Sequence, residues 1–164
     1  MGWNQNHDLV KGDNLLLYLT SGKTVIAYAT SCSLQIEGES IDTSSKFSCT
    51  WAAAMGGRMG YTINFDALYC NLSGDVATSG ISFDGIVALQ LAGEQVDWYI
   101  GQEVKPDSGV TCENNPHVLD ETKKYYYGKC VVQSISLEAG NNEIATCSGT
   151  LTGAGEILVG PKSS

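Results

Sequence analysis

The chain has 164 residues, of which 43% are hydrophobic and only 16% charged, with 19 glycines and three prolines; this is enough for one ordinary domain with a real core and excludes a disordered segment. Nine lysines and arginines stand against 18 aspartates and glutamates, a formal net charge of -9, which argues against a protein that wraps nucleic acid by neutralising phosphates. No apolar run reaches the length of a membrane span, and the start, Met1-Gly2-Trp3-Asn4-Gln5-Asn6-His7-Asp8, lacks the basic and apolar regions of a secretory signal.

In chain order, residues 1–12 read as an N-terminal arm. Asp13 to Thr20 is a strand candidate, Ser21-Gly22 a turn, and Lys23 to Ala29 a returning strand carrying Val25, Ile26 and Tyr28; together they are a hairpin signal. A third strand is predicted over 32–39, where Leu34 and Ile36 alternate with Gln35, Glu37 and Glu39. A fourth is predicted over 58–70, with Tyr61, Ile63, Phe65, Ala67 and Tyr69 on one face and Thr62, Asn64 and Asp66 on the other. Between them, residues 40–60 read as a long inter-strand loop, far beyond the ordinary hairpin length. It holds Phe47, Trp51, Met55 and Met59, too much apolar surface for a free linker. Either those side chains fold back onto their own domain or another chain covers them.

Residues 71–80 are turn-rich. From Ser82 to Gly93 the spacing turns helical, through Ile86, Val87, Leu89 and Leu91. Ser82 or Ser79 can cap this helix, Asp84 sits in its first turn and Gly93 can end it. Glu94 to Val104 reads as a strand, Val96, Trp98 and Ile100 alternating with Asp97 and Tyr99. After a loop over 105–123, Lys124 to Glu138 is a long strand whose alternation slips near Ile135, the mark of a bulge. Ala139-Gly140-Asn141-Asn142 is a hairpin turn, Glu143 to Thr152 the last strand, and residues 153–164 a C-terminal arm. The expected architecture is mainly β: one domain, an antiparallel β-sandwich or small barrel with one short helix.

Chemistry finds little purchase here. The two histidines, His7 and His117, fall in the arm and in a loop, with no nucleophile placed beside a base. Gly56-Gly57-Arg58-Met59-Gly60 lacks the Lys-Ser/Thr ending of a phosphate loop. Cys32, Cys49, Cys70, Cys112, Cys130 and Cys147 form no Cys-x-x-Cys pair and have no histidine at zinc-ligand spacing. They read mostly as small buried apolar side chains. Glu37 and Glu39 share a strand face and repel, so they make an acidic stripe rather than an acid/base pair. No enzyme, cofactor or metal site is expected. Trp98, Tyr99 and the Tyr125-Tyr126-Tyr127 cluster leave open a carbohydrate-binding β-sandwich, although such aromatics suit strands in any case.

The run Ile41-Asp42-Thr43-Ser44-Ser45-Lys46, followed by Trp51, is the most specific stretch. With the opening Lys11 to Tyr18, the Tyr126-Tyr127-Gly128 start of the long strand and the Ala145 to Gly155 ending, it resembles the TP901-1-like major tail protein family of long-tailed phages. That resemblance implies a structural virion protein assembled in the host cytoplasm. Its subunits would form homo-hexameric rings stacked into a tube, the conduit for DNA ejection. It further implies tail-tip or initiator, tape-measure and terminator proteins as partners, with phage DNA passing unbound and no membrane contact. In such a tube the long loop packs on a neighbouring subunit or ring, which assigns inter-subunit contact to Asp42, Thr43, Ser44, Lys46, Phe47, Trp51 and Met55. Glu37, Glu39, Asp66 and Asp97 are the candidate lumen-facing acids, able to keep DNA off the wall. The same tube physics suits a contractile injection or type VI secretion device.

Overall fold

The computed structural model describes residues 10, 12, 15–44, 51–69, 80–104 and 117–161. The described elements run β1 (Leu15–Leu19), β2 (Thr24–Ile26), β3 (Ala29–Asp42), β4 (Ala54–Leu68), β5 (Gly80–Ile81), α1 (Phe83–Ala92), β6 (Val96–Gln102), β7 (Tyr125–Glu138), β8 (Thr146–Gly153) and β9 (Leu158–Gly160). The nine strands form one sheet in the order β3-β4-β8-β7-β6-β1-β2-β5, with β9 added on β7. All pairs are antiparallel except the short β2–β5 pair. The mainly β, one-helix class expected from the sequence holds, but as a single open sheet curled round its core rather than two separate ones.

The curl is visible in the side chains. Trp98 on β6 and Tyr61 on β4 are three strand positions apart in the sheet. Even so, their rings lie 5.3 Å apart, and the Trp98 Nε1–H donates to the Tyr61 hydroxyl at 3.1 Å. The Tyr61 hydroxyl in turn donates to the Lys129 carbonyl on β7. Gly153 makes the room: a Cβ there would lie 2.5 Å from the Tyr61 ring. Around this pair the core gathers Leu17 and Leu19 of β1, Ile63 and Phe65 of β4, Val132 of β7, Leu151 of β8 and Ile86 of the helix. Those are the alternate positions of each strand, as a period of two requires.

The helix matches its expected span. Ser82 stands at the N-cap in an extended conformation without a side-chain cap bond, and Gly93 ends the helix at φ 67°, the left-handed geometry glycine accepts without a Cβ penalty. Ser79 lies outside the described residues. The bulge expected near Ile135 is present as a register shift between Val132 and Ser134.

Several boundaries differ from expectation, each for a local reason. β2 is three residues long, not seven, because Lys23 (φ 54°) and Tyr28 (φ 53°) are both left-handed and cannot extend a strand. β8 starts at Thr146 rather than Glu143, since the Glu143 N–H still closes the turn onto the Gly140 carbonyl at 3.3 Å. The expected C-terminal arm is docked as far as it is described: β9 pairs with Tyr125–Tyr127 of β7. The largest difference is the long loop. Ser40 to Asp42 and Ala54 to Gly60 are strand, paired from Glu37↔Gly60 to Asp42↔Ala54 across a register shift. Only residues 43–53 connect them.

Candidate functional site

The surface divides into two candidate regions: a two-stranded arm and a broad polar sheet face. The arm is the far half of the β3–β4 hairpin. β4 gains its second partner, β8, only from Thr62 onward, so the strands from Ile36 to Asp42 and from Ala54 to Tyr61 pair with each other alone. At roughly 3.3 Å per residue the arm reaches about 20 Å past the body. Its tip is tied by Thr43 N–H to the Ala53 carbonyl at 2.9 Å and by the Ser44 hydroxyl, which accepts from Ala53 N–H at 2.9 Å. The Ser44 side chain and its amide hold the Asp42 carboxyl below the usual carboxylate range. Asp42, Thr43 and Ser44 therefore shape the tip from within. Trp51 is 84% exposed, and Ile36, Ile41, Met55 and Met59 are exposed with it. Lys46 and Phe47 lie outside the described residues.

An isolated two-stranded hairpin is marginal in water. An arm with five exposed large apolar side chains lacks a covering surface on its own body. The alternatives left open by the sequence thus narrow for the described residues: Trp51 and Met55 do not fold back.

The second region is the outward face of β3, β4, β8 and β7, which lie side by side. Its cross-strand rows are Ser33, Asn64, Thr150, Ser134 and Ser31, Asp66, Ser148, Ser136. Hydroxyls and amides join them: Ser31 donates to Asp66 at 2.8 Å, Thr150 to Asn64 at 2.9 Å, Thr152 to Gln133, and Ser136 lies 2.7 Å from Ser148. Glu37, accepting from Gln35 at 2.8 Å, and Glu39 continue the same face along β3, and Glu138 continues it along β7. Carboxylates and hydroxyls outnumber cations on this face, where Arg58 of β4 and Lys129 of β7 share the outward parity. The cavities on this face, between Asn64 and Ser136 and between Thr30 and Glu138, are lined mainly by hydroxyls and carboxylates. The cross-strand hydroxyl ladder went unread in the sequence; its signal was Thr146, Ser148, Thr150 and Thr152 alternating on the last strand.

Three of the four candidate lumen acids, Glu37, Glu39 and Asp66, fall on this face. Asp97 does not join them. It lies on β6 opposite Lys129, whose Nζ is 3.8 Å from its carboxylate. Beside it Tyr99 stacks on Tyr127 at 5.9 Å and meets Tyr125 at 6.3 Å, with Lys23 over the Tyr99 ring. Lys23 is also ion-paired to Glu121. Trp98 cannot serve a saccharide platform, because it is fully buried in the core.

Two edges of the polar face carry no strand partner among the described residues. One is the whole outer edge of β3; the other is β7 from Val131 to Glu138, where β6 has already stopped at Cys130. Unpaired N–H and C=O groups on such edges are templates for another chain.

No family model matches the chain, and no curated protein matches it. Solved structures do. A chain from the tail of an empty gene transfer agent particle with C6 symmetry aligns with TM-score 0.67 at 18% identity, over 93% of this chain and 100% of that one. The SPP1 tail tube aligns with TM-score 0.65 at 10% identity, over 95% and 81%. A chain of the anti-feeding prophage baseplate aligns with TM-score 0.53 at 9% identity, over 92% and 94%. At identities this low the likeness is one of fold: the chain is built on the fold of the SPP1 tail tube and of the gene transfer agent tail.

Proposed function

We propose that this chain is a major tail tube subunit, a structural virion protein that assembles into hexameric rings stacked around a DNA conduit. The observation that carries the reading is the four-stranded polar face whose two edges, on β3 and on β7 from Val131 to Glu138, carry no strand partner among the described residues. The β7 edge holds one helix contact, from Gln90 to the Gln133 carbonyl. Joining the β3 edge of one copy to the β7 edge of the next is a heterologous contact, which closes into a ring when the rotation fits. Six copies bring about 24 strands at ~4.8 Å spacing, a circumference of ~115 Å before strand tilt widens it. Such a bore passes a double helix. The Ser/Thr and carboxylate face then lines it, repelling phosphate where a basic wall would hold it. Glu37, Glu39 and Asp66 are its lumen acids, and the arm with Trp51 and Met55 makes the contact between rings. Membership of the TP901-1-like family rests on the Ile41 to Lys46 run and its companion motifs. Tail-tip, tape-measure and terminator proteins are the partners this role requires.

Electron microscopy of concentrated protein, with and without a tail-tip complex, tests the reading. Rings or hollow tubes are expected. A chain that stays monomeric even on a matching tail tip is not a tube subunit. The likeness to an anti-feeding prophage baseplate chain supports a second reading, a tube in a contractile injection device. A sheath gene beside this one, and sheathed tubes in the microscope, would favour it.

A further inference from the structure

A tube built from identical rings needs, at one axial end, a receptor for what projects from the other. The arm leaves the polar sheet at the Ala54 end of β4. At the opposite end of the same sheet the strand ends meet in a row. Leu68 of β4 donates to the Tyr28 carbonyl at 3.0 Å, and Tyr69 donates to the Ala145 carbonyl at 2.9 Å. Glu138 of β7 sits opposite Thr146 of β8. This rim spans three strand spacings, about 14 Å.

The rim is apolar where solvent would favour polar residues. Ile144 is 71% exposed, Tyr28 61% and Leu137 47%. Tyr28 also holds a left-handed backbone at φ 53°, a conformation rare for a bulky residue. Leu137 extends the core-facing row of β7 past the end of the core, where Ile135 is still packed. Glu138 and Glu143 border the patch, giving the apolar centre and charged rim of a protein interface.

We propose that the rim formed by Tyr28, Leu137 and Ile144 is the landing site for the Trp51–Met55 side of the arm of a second copy of this chain in the adjacent ring. This rests on the tube reading above and adds the partner surface to it. Two apolar surfaces, one at each end of one sheet, then cover each other at every ring junction, and only the terminal rings keep one of them exposed. The contact is heterologous, so it propagates along the axis and gives the tube a direction.

The test places the photo-crosslinking residue p-benzoylphenylalanine at Trp51. Assembled tubes are irradiated and the crosslinked peptides identified by mass spectrometry. Crosslinks to peptides holding Tyr28 or residues 137–146, absent in dilute monomer, are expected. Crosslinks in tubes that map elsewhere overturn the landing site and leave the tube reading standing. Crosslinks to the rim already present in dilute monomer show the arm folding onto its own body, which also overturns it. If no ring or tube forms with a tail tip present, both readings fall together. A second variant, Ile144→Asp, sits in an exposed turn. It is expected to keep its unfolding midpoint and to give single rings or short stacks; full-length tubes from this variant would overturn the proposal.

Discussion

At the residue scale the molecule depends on a few buried polar atoms with assigned partners. The Tyr61 hydroxyl accepts from Trp98 and donates to Lys129. Tyr61→Phe leaves the fully buried indole N–H unpaired, which costs about 1–3 kcal/mol; a guanidinium melt is expected to show that loss in midpoint with the slope unchanged. Gly153→Ala forces a methyl against the same ring, and overpacking of this kind costs about 1–3 kcal/mol, readable in the same melt. Burial pushes the Cys130 thiol up to about 12, helped by the Asp97 charge, and raises Cys32 by burial alone. The sign follows. The unfolded thiols ionise near ~8.5, so the folded state gains its full share of stability below that pH and loses it as pH rises towards 12. Stability is expected to fall between pH 8.5 and pH 10, and Cys130→Ala with Cys32→Ala to flatten that slope in urea melts. Tyr18, raised by burial and by Glu103, adds to the loss at higher pH.

At the scale of an element, the arm is where the molecule exposes apolar surface. Its strands pair their facing backbone groups with each other, yet its outer edges have no strand partner and its apolar side chains are exposed. Stability and assembly therefore separate. Trp51→Ala is expected to leave the melting midpoint within about 0.5 kcal/mol of the parent, as surface substitutions do, while abolishing long tubes in the microscope. If that variant loses stability and still assembles, the tryptophan is core packing and the contact between rings lies elsewhere. The helix is apolar on most sides, with only Ile86 fully buried and Leu91 standing in solvent. A helix of that pattern belongs between packed surfaces, consistent with a subunit made to be surrounded.

For the whole molecule, the sheet face sets the charge of the proposed bore. Replacing Glu37, Glu39 and Asp66 together by lysine is expected to leave tubes intact and to make them retain double-stranded DNA at low salt. The retention should fall steeply as salt rises, because each phosphate contact releases counterions. A filter-binding assay across salt reads it directly, and lysine-bearing tubes that still ignore DNA at low salt would place these residues away from the lumen.

Much of this was legible in the chain because it is local. The alternation of Tyr61 to Ala67 against Thr62 to Asp66 set both faces of β4, since a period of two leaves no other choice on a half-buried strand. The helix was marked by its spacing and by Gly93, and the β7 bulge by a slip in alternation. What the residues could not say is which strands become neighbours. Asp97 and Asp66 are both outward acids on good strands, but sheet order alone separated them, pairing one with Lys129 and setting the other in the polar face. Ser40 to Gly60 looked like a loop because its glycines and small residues lack strand propensity, whereas pairing of Ala54 to Gly60 with Glu37 to Asp42 made its two ends the strands of an arm. Propensity is a property of the segment; pairing, edges and the bare apolar ends of the sheet exist only once distant segments meet.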